Sequence, residues 1–370
     1  VLYGVGRQGT VGLITSITWT ARIVVGLALL VLFGKKPSIY FACQAVTTLF
    51  GVVALRFVVV RSIPGWPTIA GNVRRTVSEI GRSVISLSAV TAAALVFNQI
   101  DKLIIGRLFS LETFGYYSLA WQLAGAVYLI YTPVYSAFLP AISRAHAAGD
   151  RAALSRLTTD AMLVMGLLVL PLGAGVGFAS KALLYAWTGN AATAAGTSLF
   201  LTLAFAGAVA NALLFVPFAA QVPTNTTAIT LRAVVGSIVV GLPLMVLGSS
   251  LYGAAAVVAV WAVVSVVQVG VVIYLTVTRI LQIPIGGWAW RNLGAIALPA
   301  IAGMAALELL VPDVSTRSGS AVLVVGAFAL CYAITLLLKR RTVTSVLAGP
   351  SLGGVREAQA ARAPSFEPER

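Results

Sequence analysis

Apolar runs of about 18–24 residues recur along the whole chain, and each is long enough to cross the roughly 30 Å hydrocarbon core of a bilayer. They fall at residues 10–33, 38–60, 83–106, 115–138, 161–179, 198–220, 228–248, 253–276, 293–311 and 320–338. Hydrocarbon offers no partner to a backbone N–H or C=O, so only helices and closed barrels can span it. Barrel strands are shorter and alternate in polarity, and these runs do neither. The expected fold class is therefore all-α, a polytopic transmembrane helical bundle of about ten spans. A soluble domain is excluded on composition, because 59% of the residues are hydrophobic and only 9% are charged.

The few charges are unevenly placed. Twenty-five Lys and Arg against ten Asp and Glu give a net charge of +15. With residue 1 set on the cytoplasmic side, most arginines fall on cytoplasmic segments, including Arg61, Arg74, Arg75, Arg82, Arg144, Arg151, Arg279, Arg291 and the tail. Lys35, Lys36, Lys102, Arg107, Lys181 and Arg317 fall outside. This bias is the positive-inside signal, and it puts both ends of the chain in the cytoplasm. The excess positive charge serves that topology and attraction to anionic lipid. No motif supports a nucleic-acid partner.

Residues 1–62 hold the first two spans. Residues 63–82 read as a cytoplasmic linker whose Pro-Gly-Trp-Pro core breaks any helix. Six spans follow in 83–277, and two more in 278–341 after the interfacial segment IPIGGWAWRN. The tail, 342–370, is rich in Ala, Pro, Arg and Glu and reads as disordered. A faint repeat links Arg22-Ile-Val-Val-Gly26 to Arg232-Ala-Val-Val-Gly236. Cys43 and Cys331 lie inside spans and read as small packing residues.

Two places inside spans carry unusual polarity. On a helix at 100° per residue, Ser88, Thr91, Asn98, Asp101 and Lys102 form one stripe, opposite a face of Val, Ala, Leu and Phe. Such a stripe should face protein or water. Two readings stand: the stripe lines a cavity, or Lys102 snorkels to the outer headgroups while Asp101 caps or pairs locally. Arg22 lies about twelve residues from either end of its span, roughly 18 Å at 1.5 Å per residue. Thr15, Thr18 and Arg22 share a face. An inward guanidinium needs an acid, carbonyls, water or an anionic ligand, so Arg22 marks either a hydrated cavity or a structural ion pair. Snorkelling accounts for Arg56 and Arg232, and solvation for His146.

No phosphate-binding loop, nucleophile motif or His/Cys/Asp/Glu cluster with metal spacing is present. No catalytic residue, cofactor or metal is assigned, and an enzyme is not expected.

The stretch NQIDKLIIGRLFSLETFGYYSLA, Asn98–Ala120, resembles the start of the second half of the bacterial polysaccharide (oligosaccharide) flippases, the Wzx-type branch of the MOP exporter superfamily. These carry an Asn/Gln-x-x-Asp-Lys/Arg pattern, a Gly-Arg-Leu, a turn, and Phe-Gly-x-Tyr-x-x-Ala. Leu111 stands where Pro is common in the family. FLPAISRAHAAGDRAALSRL (138–157), SLYGAAAVVAV (250–260) and LYGVGRQGTVG (2–12) resemble further family segments in the same order.

The resemblance implies a two-lobed transporter fold of twelve to fourteen spans. On that mapping the first lobe is incomplete here, and an N-terminal truncation is expected. It implies flipping of a polyprenyl-diphosphate-linked oligosaccharide across the bacterial cytoplasmic membrane by alternating access, for cell-surface polysaccharide or lipopolysaccharide biosynthesis. The partners are then the lipid-linked substrate and membrane lipids, with a polysaccharide polymerase and glycosyltransferases as candidates. Arg22, Asn98, Asp101 and Lys102 are the substrate-path candidates. The alternatives are a cation-coupled multidrug exporter of the same superfamily, and a non-transporting scaffold of a glycan-assembly complex. Scarcity of mid-span acids favours the flippase.

The orientation is testable. Cysteines placed by Ser78→Cys, Ser155→Cys and Ser351→Cys should resist an impermeant thiol reagent added outside intact cells, and ready labelling of any two would reverse it.

Overall fold

The computed structural model describes residues 8–33, 37–62, 73–310 and 316–348. Residues 63–72, the core of the expected linker, and 349–370, most of the expected tail, lie outside them. The described residues form helices α1 (Gln8–Phe33), α2 (Pro37–Ser62), α3 (Val73–Leu108), α4 (Leu111–Ala124), α5 (Tyr128–Ala147), α6 (Arg151–Thr188), α7 (Ala191–Gln221), α8 (Ala228–Tyr252), α9 (Ala254–Thr276), α10 (Ile285–Ala289), α11 (Ala295–Leu310) and α12 (Arg317–Ala348), with no strand among them. The chain is a multi-pass membrane protein, and among the described residues nine helical segments are long and apolar enough to cross a bilayer.

The span expected at residues 293–311 falls on α11, whose described residues end at Leu310. Helical backbone leads into it from Ile285 through a π turn at Trp290–Gly294. Span 115–138 is longer than its apolar run suggested. It runs Leu111–Ala147 and is interrupted by a 3-10 turn at Gly125–Val127.

The breaks between helices follow local chemistry. Ser110 caps α4, its hydroxyl accepting from Thr113 N at 3.2 Å. Asp150 caps α6 through Ala153 N at 2.8 Å, after Gly149 turns the chain at φ +70°. Left-handed Gly189 ends α6, and Asn190 caps α7 one residue later through Thr193 N at 3.0 Å.

The chain divides into two compact units, separated within α3 between Glu79 and Ile80. In the first, α1 and α2 form a hairpin. Gly51 admits the Thr18 side chain so closely that an added Cβ would lie 2.9 Å from it, the small-residue packing usual between membrane helices. Cys43 is buried there.

In the second unit α7 is central, with 67% of its apolar window buried; it packs against α4, α5, α6 and α9. Trp261 of α9, 1% exposed, fills the space above Gly207 of α7 and stacks near Phe97 of α3, centroids 6.4 Å apart. The long α6 kinks at Ala179 (φ −96°) and carries α11 and α12 on one side. Cys331 is buried beside Ala300, and Tyr332 donates to the Leu168 carbonyl at 2.6 Å. Arg317 donates to the carbonyls of Ala186 and Trp187 at the C-terminal end of α6, where a cation suits the helix dipole. The segment expected at the interface is docked on α6: Trp288 is buried and donates to Thr159 at 2.9 Å, while Trp290 stays exposed.

Gly207 is predicted to be the least replaceable small residue of this unit. Gly207→Val drives a methyl group into the Trp261 ring and should cost at least about 1–3 kcal/mol. Gly270→Ala, with nothing within 4 Å of the added carbon, should be neutral. Thermal melting of both variants in detergent checks the contrast.

Candidate functional site

The second unit encloses a cavity of about 500 Å³ among α3, α4, α5, α7, α8 and α9. The polar face of α3 supplies one wall, with Thr91, Asn98 and Gln99. Trp121 of α4 and Tyr128 and Tyr131 of α5 supply another. The 3-10 turn Gly125–Val127 lies between Trp121 and the tyrosines. Asn211, Phe215 and Phe218 come from α7, Thr230 from α8 and Gln268 from α9. The Tyr131 ring stacks on Phe215 with centroids 3.7 Å apart. Among the described residues no Asp, Glu, His, Lys or Arg lies on the wall itself.

Several of these polar groups are spoken for. Asn211 Nδ2 donates to the Gly207 carbonyl at 2.9 Å and to Ser265 at 3.2 Å. Thr230 donates to Gln221, which donates in turn to Thr276. Others are not: Asn98 Oδ1 and Gln268 Oε1 are buried without a hydrogen-bond partner.

The stripe predicted on α3 divides. Thr91 and Asn98 reach the cavity wall. Lys102 stands at its rim. Its ammonium donates to the Asn98 carbonyl at 3.2 Å and to Gln99 Oε1 at 2.9 Å, and lies 4.5 Å from the centroid of the Trp121 ring, a cation–π arrangement. Asp101 is off the wall. It is fully buried, accepts from the Tyr117 hydroxyl, and keeps Oδ1 unpartnered. The physical reason is angular: Asp101 and Lys102 are consecutive, so their side chains leave the helix about 100° apart and do not face each other.

Arg22 lies in the first unit, half-buried on the α1–α2 hairpin. Its Nη2 donates to Thr48 at 2.6 Å, its Cζ sits 4.6 Å from the Trp19 ring centroid, and its Nε is buried without a hydrogen-bond partner. No carboxylate of the described residues lies within ion-pair distance of it.

Sequence reading missed the far side of the cavity. Asn211 and Gln268 were each visible as a polar residue in an apolar run, the available signal, but no pattern on their own helices sets them toward α3. The aromatic wall carries no sequence signal distinct from ordinary packing.

The model of a family described as "Polysaccharide biosynthesis protein" matches residues 13–195. That region contains Asn98–Ala120, the stretch that carries the sequence resemblance, and it supports that recognition. Among solved structures, the lipid II flippase MurJ in its inward closed conformation is similar over 92% of this chain and 70% of its own, at 13% identity and a TM-score of 0.62, which shows the fold. No curated protein matches.

Tyr117→Phe is predicted to destabilise the protein, because it strips the Asp101 carboxylate of its donor in a dry interior. The expected loss is about 1–3 kcal/mol, read as a lower melting point in detergent. Asp101→Asn should cost less, since Tyr117 keeps an acceptor. Equal melting points for Tyr117→Phe and the unaltered chain would show that the contact contributes nothing.

Proposed function

We propose that this chain, which carries the polysaccharide biosynthesis family match over residues 13–195 on the fold of a lipid flippase, flips a polyprenyl-diphosphate-linked oligosaccharide across the bacterial cytoplasmic membrane. The observation that supports this most is a pair of cations placed within spans and held by neutral groups. Arg22 contacts Thr48 and Trp19, and Lys102 contacts Gln99, a backbone carbonyl and Trp121. A cation inside a span is costly unless something offsets its charge. Held by neutral groups, each retains capacity for an anion.

In this reading the diphosphate is the anion. Within its own unit, each of Arg22 and Lys102 can donate charge-assisted hydrogen bonds to diphosphate oxygens. The glycan follows a hydrated path, and the polyprenyl tail stays in lipid. Alternating access moves one lobe against the other around that path. Asp101 is a positioning residue: the Tyr117 hydroxyl fixes it inside the lobe, next to Lys102 on α3.

A cation-coupled exporter is the second reading. It is favoured by one observation, the fully buried Asp101 carboxylate with an oxygen unpartnered among the described residues. Transport by Asp101→Asn that keeps its rate but loses dependence on a sodium or proton gradient would favour that reading.

In cells whose surface polysaccharide depends on this protein, Arg22→Ala and Lys102→Ala should each abolish most surface glycan while leaving the protein in the membrane. Arg22→Lys should retain more than Arg22→Ala. Normal surface glycan with Lys102→Gln would show that Lys102 only snorkels, and equal loss of folded protein in both Arg22 variants would assign Arg22 a structural role.

A further inference from the structure

We propose that the cavity inside the second unit is a sugar subsite that takes one pyranose ring of the lipid-linked glycan; this deepens the flippase reading and rests on it. The wall chemistry carries the inference. Trp121, Tyr128, Tyr131 and Phe215 present aromatic surface. Against them stand the amides of Asn98 and Gln268, each with its side-chain oxygen buried and unpartnered. Gln268 is 4% exposed and makes no side-chain hydrogen bond among the described residues. A pyranose matches both halves of that wall. Its C–H faces are apolar and lie on aromatic rings, while its hydroxyl and acetamido groups donate to amide oxygens.

Other occupants fit less well. A prenyl chain would cover the rings but bury the amides with nothing to accept, which is unfavourable. A diphosphate would meet no cation on the wall, and a metal ion no carboxylate. The volume, about 500 Å³, lies within the roughly 300–1,000 Å³ of small-molecule sites. The position agrees as well. Lys102 sits over the Trp121 ring at the rim, so a diphosphate held there places the first sugar of the glycan beside Trp121. The subsite is then a determinant of which reducing-end sugar the protein accepts.

The test uses the full chain in lipid nanodiscs with Thr91→Cys on the cavity wall, the natural Cys43 and Cys331 being buried. Labelling of the new cysteine by a water-soluble maleimide is timed with methyl pyranosides of hexose, N-acetylhexosamine and deoxyhexose type, and with farnesol. At least one pyranoside should slow labelling. Adding Gln268→Leu, similar in volume, should weaken that protection about tenfold, the ratio for one lost buried hydrogen bond, with the melting point retained. Protection by farnesol alone, or by no probe, would overturn the sugar subsite. Protection by a pyranoside in a protein that flips no lipid-linked glycan would leave the sugar site standing and remove the flippase reading instead.

Discussion

Hydrocarbon supplies no hydrogen bonds, and this constraint orders the whole structure. The backbone answers it with helices. The side chains answer it with interhelical pairs: Asn211 with Ser265 at 3.2 Å, Gln221 with Thr276 at 2.9 Å, Thr230 with Gln221 at 2.7 Å, and Tyr117 with Asp101. Such bonds average only about 0.6 kcal/mol in membrane proteins. Their larger effect is on register, because each fixes one rotation of α4, α7, α8 or α9 against its neighbour. What remains unpaired after that accounting is a short set: Arg22 Nε, Asn98 Oδ1, Asp101 Oδ1, Thr197 Oγ1, Trp261 Nε1 and Gln268 Oε1 among the described residues. Asn98 and Gln268 line one cavity and Asp101 lies on the same helix as Asn98, so half of the unpaired set gathers on or beside the site from which function is argued.

Packing supplies the rigidity that these pairs need. Trp261 rests on Gly207 and meets Trp121 edge-on at 4.8 Å, and Tyr117 meets Phe200 edge-on at 6.3 Å. The same aromatic layer that closes the core of the second unit therefore also holds the ring beneath Lys102. A change in the core and a change at the rim are coupled through Trp121.

The helical class, most spans and the membrane setting were legible because apolar length is set by bilayer thickness and is visible without any tertiary information. The α3 stripe was legible because helical periodicity alone brings Thr91, Asn98 and Lys102 to neighbouring angles. Asp101 was harder. Its angle placed it with the stripe, but its burial depends on Tyr117, sixteen residues away on another helix. The π turn at Trp290–Gly294 was also hidden, since it leaves the apolar run in the sequence intact. The cavity needed six helices and had no signature on any one of them. Arg22 was conspicuous as a charge in mid-span, while its partner Thr48 lies on a helix with no distinctive pattern.

The account stands on transport of a lipid-linked glycan across the bilayer. The most direct measurement reconstitutes the purified chain into vesicles carrying a polyprenyl-diphosphate oligosaccharide with a fluorescent sugar, then adds an impermeant quencher outside. The account predicts that substrate on the inner leaflet becomes quenchable at a rate that rises with the amount of protein. An inner-leaflet fraction that stays protected in vesicles containing folded protein, as it does in protein-free vesicles, would contradict it.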